Sequence, residues 1–220
     1  MESVTSSKAI NKKQIYCLET LSKTDLLKNF YLAGGTALAL MLQHRTSVDL
    51  DFFSSSKFDN KKFVNQLNSI LTPRPVVTSI SEGTLYIQYN KVEISFIHFP
   101  YKLIDKKIKS GYKIDIAGLK DIAAMKLSAV TGRTAKKDFI DIYFLLKEKF
   151  SFEQLISFYL KKFGSEVYNE VILTKSLMAF ENISEKKNPL MLKPFDWEKA
   201  KKYILNEAAN YFRSHAAGLI

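Results

Sequence analysis

The chain has 220 residues, of which 46% are hydrophobic, so it is long enough to bury a substantial core and too apolar for general disorder. Its 33 Lys and Arg residues against 22 Asp and Glu residues give a formal net charge of +11, which indicates either a polyanionic partner such as RNA or DNA or a merely lysine-rich surface. The single cysteine, Cys17, excludes an internal disulfide, and a polar start without any run of about eighteen apolar residues predicts a cytoplasmic protein that is neither secreted nor membrane-bound.

The N-terminal half of the chain alternates between helical and strand patterns. Apolar residues recur at helical intervals over 8–28 and 59–71, and Asp59 is placed to cap the second of these segments. A short helix is also predicted at 36–43. Runs rich in β-forming residues predict strands at 30–33, 47–54, 76–81, 84–89, 91–98 and 113–117. Residues 100–112 are interpreted as a Lys-rich connection between the last two strands.

The C-terminal half is helical in its pattern. Apolar spacing predicts helices at 119–130, 136–149, 152–162, 166–180 and 196–213, with a polar loop containing two prolines at 182–194. The sequence therefore predicts an α/β (α+β) domain at 1–117, made of a mixed sheet with flanking helices, followed by a helical domain at 118–220.

The stretch 31–53 carries the strongest chemical signal. Side chains alternate along a strand, so Asp49 and Asp51 point the same way. Neighbouring carboxylates repel each other unless a cation lies between them, and Mg²⁺ prefers carboxylate sites that substrate phosphates complete. Gly34 and Gly35 lie where a strand feeds a helix, so backbone amides and the positive helix terminus can accept a phosphate. The stretch thus predicts a nucleotide bound beside its metal.

The sequence GGTALAL, followed by HR and then SVDLDFF, resembles the AbiEii nucleotidyltransferase toxins, a branch of the polymerase β-like nucleotidyltransferase superfamily. The superfamily usually has Gly-Ser at the turn where this chain has Gly34 and Gly35, so Thr36 becomes the candidate hydroxyl for a phosphate. The resemblance also implies a third carboxylate on a neighbouring strand, and Glu93 is the only acidic residue of the three runs between 76 and 98 placed to supply it. The alternative for Glu93 is a solvent-facing residue of a half-exposed strand.

The segment 116–146, IAGLKDIAAMKLSAVTGRTAKKDFIDIYFLL, resembles the later motifs of the same family. The resemblance implies that Lys126 binds the triphosphate or stabilises its charge, and that Arg133 and Lys137 add positive field. Asp141 or Asp138 would orient the lysine or contact the nucleotide or the acceptor, and the sequence does not choose between them. The alternative is a weak network of salt bridges that only aligns two helices.

Other polar residues have two open interpretations. Arg45 could meet a phosphate, or it could neutralise Asp49 or cap the preceding helix. Ser47 lies on the strand face of Asp49 and could hydrogen bond a carboxylate or a ligand. Lysines of the C-terminal half, among them Lys161 and Lys162, could form a basic rim for RNA or simply solvate helix faces.

Together these features predict a nucleotidyltransferase that moves a nucleoside monophosphate from an NTP to an acceptor, with two Mg²⁺ ions held by Asp49, Asp51 and Glu93. The resemblance implies the toxin of a type IV toxin–antitoxin or phage-defence pair, with tRNA as acceptor and an antitoxin protein as partner. The positive charge by itself supports only an anionic acceptor. The rival hypothesis is a catalytically silent module that binds RNA or a protein on the same scaffold. An aminoglycoside-modifying relative is disfavoured, because its cationic substrate would be repelled.

Overall fold

The computed structural model describes residues 7–183 and 187–216. They form two compact units that divide between Gly118 and Leu119. Within these ranges, no helix combines the length and the apolar character that crossing a bilayer requires.

The first unit is built on a seven-stranded mixed sheet with the strand order β3-β4-β5-β2-β1-β7-β6. The strands are β1 Tyr31–Ala33, β2 Leu50–Ser54, β3 Val76–Ser81, β4 Thr84–Tyr89, β5 Val92–His98, β6 Ile108–Lys109 and β7 Asp115–Ile116. Neighbours are antiparallel except for the parallel pairs β2–β5 and β1–β7. Three helices flank this sheet, namely α1 Lys12–Ser22, α2 Gly34–Leu42 and α3 Asn60–Ile70.

The starts of α1 and α3 follow from their capping residues. The side chain of Asn11 accepts hydrogen bonds from the Lys13 and Gln14 amides, and the Gln14 side chain accepts one from the Asn11 amide. This is a capping box, which satisfies amides that have no partner within the helix. Asp59 caps α3 by accepting from the Lys62 amide, as the sequence predicted.

The core of the first unit lies on one face of the sheet. Phe52 of β2 and Phe96 of β5 are fully buried and stack with their ring centroids 5.5 Å apart. Phe63 of α3 packs edge-on against Phe96 at 4.8 Å. Burying a side chain of this size contributes roughly 1.5–3 kcal/mol to stability. Because side chains alternate, this burial turns the residue between Leu50 and Phe52, Asp51, to the opposite face.

The second unit is helical. Its helices are α4 Leu119–Gly132, α5 Lys136–Glu148, α6 Phe152–Phe163, α7 Glu170–Met178 and α8 Trp197–Ala216, with 3₁₀ turns at Ser165–Val167 and Phe180–Asn182. Helix α6 begins with a capping box between Ser151 and Gln154 and ends at Gly164, whose φ is +92°. Few residues other than glycine adopt that conformation, so a glycine at this position ends the helix.

Several predicted bounds were wrong, each for a local reason. Helix α2 begins at Gly34 and not at residue 36, so both glycines belong to its first turn. Strand β2 begins at Leu50 because the Asp49 carbonyl accepts from the side chains of Gln14 and Thr36. Residues 100–112 include strand β6, which had been interpreted as connection. The predicted helix at 166–180 starts only at Glu170, where Asn169 caps it.

The environment of Cys17 yields a prediction about its reactivity. Its side chain is fully buried, its Sγ donates to the Tyr89 carbonyl at 3.6 Å, and burial raises the pKa of the thiol to about 11. Because the thiolate is the reactive form, we expect no reaction of the native protein with Ellman's reagent at pH 8 and full reaction in guanidinium chloride. A Lys12→Cys variant, exposed on the same helix, should react at once in the native state. A native wild-type rate equal to that of this variant would contradict the burial of Cys17.

Candidate active site

The predicted site residues fall into two clusters, one in each unit. The cluster of the first unit surrounds a cavity of about 280 Å³ on the sheet face that points away from the aromatic core. The lining residues are Asp49, Asp51, Tyr86, Glu93, Ile94 and Ser95. Asp51 of β2 pairs in register with Ser95 of the parallel neighbour β5. The sheet therefore brings Glu93 to the same cavity as Asp49 and Asp51, which lie about forty residues earlier in the chain.

Asp51 is held in a fixed orientation from two sides. The Ser95 hydroxyl, which is almost fully buried, donates to Asp51 Oδ1 at 2.6 Å. The other oxygen faces Gly34, where an added Cβ would lie 2.7 Å from Oδ2. Gly34 also has a φ of +66°, which L side chains rarely adopt. A glycine is thus needed here both for the backbone conformation and for the close approach of the carboxylate.

The residues behind the glycines tie α2 to the segment that carries Asp49. The Thr36 hydroxyl contacts the Asp49 carbonyl and lies 2.8 Å from the Ser47 hydroxyl. Because a carbonyl only accepts and a hydroxyl has one proton, Thr36 donates to the carbonyl and Ser47 donates to Thr36. Thr36 is buried, so its side chain has a structural role in this arrangement.

Arg45 lies beneath the same turn. Arg45 is only 2% exposed, and its Nη1 donates to the Thr46 carbonyl at 3.0 Å. A Cβ added to Gly35 would lie 2.7 Å from Arg45 Nη2. A buried guanidinium this close to the start of α2 places a fixed positive charge beside the first turn of that helix.

Glu93 lies at the edge of the cavity and has its own partner. Its Oε1 accepts from Gln88 Nε2 at 2.6 Å, across the β4–β5 pair. Among residues 7–183 and 187–216, no three His, Cys, Asp or Glu side chains converge closely enough to hold one metal ion. Asp49 and Asp51 line the same cavity and are the carboxylates that could hold a cation there, whereas the exposed Glu93 is hydrogen-bonded to Gln88.

The cluster of the second unit is a buried ion-pair network. Lys126 Nζ lies 2.7 Å from Asp138 Oδ1 and 2.6 Å from Asp141 Oδ2, so the lysine is bound to both of the aspartates that the sequence could not separate. Arg133 Nε lies 2.7 Å from the second oxygen of Asp138. Both aspartate side chains are fully buried, whereas Lys137 is exposed. The pairs of Lys126 with Asp138 and Asp141 are thus buried, unlike weak surface pairs, and only Arg133 extends the network to the exposed surface.

A second buried pair corrects one prediction. Lys162 was considered for a basic rim, but its ammonium is fully buried and lies 2.7 Å from Asp121 Oδ1. The cause is its position on α6, because Leu155, Tyr159 and Lys162 follow one another at helical intervals and share the buried stripe. The spacing of residues 155, 159 and 162 is a sequence signal for the burial of Lys162. No sequence signal indicated Asp121 as its partner. Lys161, one residue earlier, is exposed.

Sequence reasoning also missed the residues that support the carboxylates. Ser95, Gln88 and Tyr86 belong to no recognised motif. The register of β4, β5 and β2 brings Ser95 to Asp51 and Gln88 to Glu93, and it places Tyr86 in the cavity lining. Alternation does put Ser95 on the face of Glu93, but the identity of the neighbouring strand cannot be read from it.

Two carboxylates that line one cavity, beside the first turn of a glycine-started helix, fit the nucleotidyltransferase class that the sequence resembles. A family model described as "Nucleotidyl transferase AbiEii toxin, Type IV TA system" matches residues 16–214. An uncharacterised protein of Aquifex aeolicus is 32% identical over 209 residues, which cover 93% of this chain and 98% of that protein. The chain therefore belongs to the AbiEii family and is a nucleotidyltransferase, which confirms the resemblance and the enzyme class.

Solved structures agree on the fold. MenT4, a nucleotidyltransferase toxin of Mycobacterium tuberculosis, matches with a TM-score of 0.59 at 17% identity, over 89% of this chain and 81% of that chain. An H. pylori protein provisionally classed as a nucleotidyltransferase matches with a TM-score of 0.56 at 18% identity, over 92% and 93% of the two chains. These likenesses confirm the predicted fold class.

Gly34 gives a prediction about stability. Gly34→Ala introduces a side chain at a φ of +66° and within 2.7 Å of Asp51 Oδ2, so we expect the free energy of unfolding to fall by roughly 1–3 kcal/mol. Gly132→Ala is the control, because its Cβ would meet nothing within 4 Å, and it should be neutral or slightly stabilising. Urea denaturation followed by circular dichroism measures both. Equal stability of the two variants would mean that Gly34 is not constrained.

Asp138 gives a prediction about pH. Burial would raise the pKa of this carboxyl, but the charges and hydrogen bonds of Lys126 and Arg133 together hold its pKa below the ordinary value of 3.8. Its stabilising contribution is therefore complete above about pH 4 and lost as the pH falls through the folded-state pKa. We expect the free energy of unfolding to drop more steeply below pH 4 in the wild type than in Asp138→Asn. Glu181→Gln, which removes an exposed carboxyl from the same unit, should keep the wild-type slope, and an equal slope in Asp138→Asn would refute the assignment.

Proposed function

We propose that this nucleotidyltransferase transfers a nucleoside monophosphate from an NTP to an RNA acceptor, with tRNA as the acceptor class, in a Mg²⁺-dependent reaction. The observation that carries the proposal is the shared cavity of Asp49 and Asp51, directly beside the backbone of Gly34. In this reaction the acceptor hydroxyl oxygen bonds to the α-phosphorus, the bond from that phosphorus to the bridging oxygen breaks, and pyrophosphate leaves. Glu93 would bind the metal ion that activates this hydroxyl, and the hydroxyl proton would pass to solvent.

The carboxylates suit a hard divalent cation. Asp49 and Asp51 both line the cavity and offer carboxylate oxygens as ligands, and the hydrogen bond from Ser95 keeps Asp51 oriented before any ligand arrives. Two Mg²⁺ ions held by these residues, with Glu93 joining after it releases Gln88, would supply charge neutralisation and activation of the acceptor hydroxyl. Rotation of Glu93 is inexpensive because its side chain is exposed.

The start of α2 suits the phosphates. The first amides of a helix have no partner within the helix, and Ala33 at the N-cap has no side-chain acceptor to offer them. The amides of Gly34, Gly35 and Thr36 can therefore bind phosphate oxygens, assisted by the helix dipole. The buried charge of Arg45 beside Gly35 strengthens the same field.

We assign Lys126 to stabilising the charge of the triphosphate, with Asp138 and Asp141 holding its ammonium in place. The support is its place in a family motif and its two ion pairs of 2.7 and 2.6 Å. Arg133 and Lys137 would add positive field. As a member of the AbiEii family, the protein would act as the toxin of a type IV pair, and its protein partner would be a cognate antitoxin.

Transfer of labelled nucleotide tests the chemistry. Purified protein is incubated with each labelled NTP, MgCl₂ and total RNA, and label on RNA is measured. We expect transfer by the wild type and a loss of roughly a hundredfold or more in Asp51→Asn, since a metal ligand supplies several kcal/mol of transition-state stabilisation. Glu82→Gln removes a carboxylate from the β3–β4 turn and should retain activity. Lys126→Gln removes the charge and should lose transfer. Because it also leaves two buried aspartates without their cation, its melting temperature is measured alongside, and the loss is assigned to the missing charge only in a folded variant.

Two outcomes of this experiment would favour the rival hypothesis of a catalytically silent binding module. Equal transfer by the wild type and Asp51→Asn, or no transfer with any NTP and divalent metal, would contradict the proposal. Calorimetric titration with NTP in the presence and absence of Mg²⁺ then separates the alternatives. Metal-dependent binding that Asp49→Ala abolishes supports the enzyme, whereas RNA binding without metal-dependent NTP binding supports a silent module.

A further inference from the structure

Tyr86 is an aromatic side chain in the carboxylate cavity. It lies in the middle of β4 and pairs in register with Ser95, the residue whose hydroxyl holds Asp51. Its neighbours Leu85 and Ile87 are fully buried on the core face, so alternation directs the Tyr86 ring to the carboxylate face, where it lines the cavity. Opposed side chains of an antiparallel pair lie about 4.5–5.5 Å apart at Cβ, which puts the ring next to the Ser95–Asp51 bond.

The ring of Tyr86 is accessible to a ligand. The residue is 43% exposed, and within the ranges that the structure describes no other aromatic ring packs against it. Tyr89, three residues later, differs on both counts, because it is buried and its ring stacks with that of Tyr16 at a centroid distance of 6.4 Å. The packing of the first unit therefore does not account for an aromatic residue at position 86.

The order of strands across the sheet places Tyr86 on one side of the reaction. Strands β1, β2, β5 and β4 are consecutive neighbours in the sheet. The glycines follow β1 and Asp51 lies on β2. Glu93 and Ser95 lie on β5, and Tyr86 lies on β4. With neighbouring strands about 4.8 Å apart, β4 lies roughly 14 Å from β1. The carboxylates thus separate the Tyr86 ring from the glycine-started helix.

The in-line geometry of phosphoryl transfer indicates which part of which substrate lies next to Tyr86. The attacking and leaving oxygens are in line on opposite sides of the phosphorus. If the leaving pyrophosphate is bound at Gly34 and Gly35, as proposed above, the attacking hydroxyl approaches from the side of β5 and β4. We propose that the Tyr86 ring is the stacking platform for the terminal nucleobase of the RNA acceptor, an inference that rests on the proposed nucleotidyl transfer.

Stacking of this kind makes a definite kinetic prediction. Every base offers a π-face to an aromatic ring, so the contact is tolerant of base identity and needs no hydrogen bond from the phenol. Loss of one base–aromatic stack weakens binding roughly five- to more than one-hundred-fold. The loss should be seen in the KM for the acceptor and not in the affinity for NTP.

The experiment measures transfer kinetics with total tRNA as the varied substrate, together with NTP binding by calorimetry in Mg²⁺. Tyr86→Ala should raise the KM for tRNA by roughly five- to more than one-hundred-fold with an unchanged NTP dissociation constant. Tyr86→Phe keeps the ring and should behave as the wild type. Tyr16→Ala removes a similarly exposed ring from outside the cavity and should leave the KM for tRNA unchanged. Melting temperatures establish that all variants are folded.

The contrary results are distinguishable. An active wild type with an unchanged KM for tRNA in Tyr86→Ala overturns the inference and leaves the nucleotidyl transfer intact. Weakened NTP binding in Tyr86→Ala, with no change in the KM for tRNA, assigns the ring to the incoming nucleotide and also overturns it. A wild type that binds NTP but labels no tRNA excludes tRNA as the acceptor and, with it, a stack between Tyr86 and a tRNA base. A wild type that neither binds NTP with Mg²⁺ nor transfers label refutes the proposed function itself.

Discussion

The first unit depends on the alternation of side chains along β2. Leu50 and Phe52 must enter the aromatic core, and this requirement sets the register with β5 and turns Asp51 to the other face. A slip of one residue would bury a carboxylate and expose a phenylalanine, at a cost of several kcal/mol. The orientation of the acidic cluster is therefore enforced by the hydrophobic effect, and the polar contacts of Ser95 and Gln88 refine it.

Local features of the fold and the site were predictable, and long-range pairings were not. The glycines before α2's apolar run, the cap at Asp59 and most helices follow from short-range sequence patterns. The partnership of β2 with β5 depends on packing between distant segments, so Ser95 could not be assigned to Asp51 in advance. The burial of charged side chains was also not predictable from the sequence, because a lysine usually lies on a solvated surface. Lys162 is the exception that only its spacing on α6 could have revealed.

The second unit is organised around charges inside an apolar bundle. Helix α4 carries both Asp121 and Lys126, and each is paired with a residue of another helix, α6 in one case and α5 in the other. Such pairs add little net stability compared with apolar side chains of the same size, because both ions lose their hydration. They do penalise misalignment strongly, since a shifted helix leaves an uncompensated charge in the interior. The arrangement fixes the axial positions of three helices more strictly than apolar contacts would.

The proximity of Gly34 and Asp51 couples two distant positions of the chain. The carboxylate fills the space that a side chain at position 34 would need, so neither residue can change size without regard to the other. Among related sequences, the residues at positions 34 and 51 should therefore change together. A relative that replaces Asp51 with a smaller residue would remove the steric limit on position 34, although the positive φ there would still favour glycine.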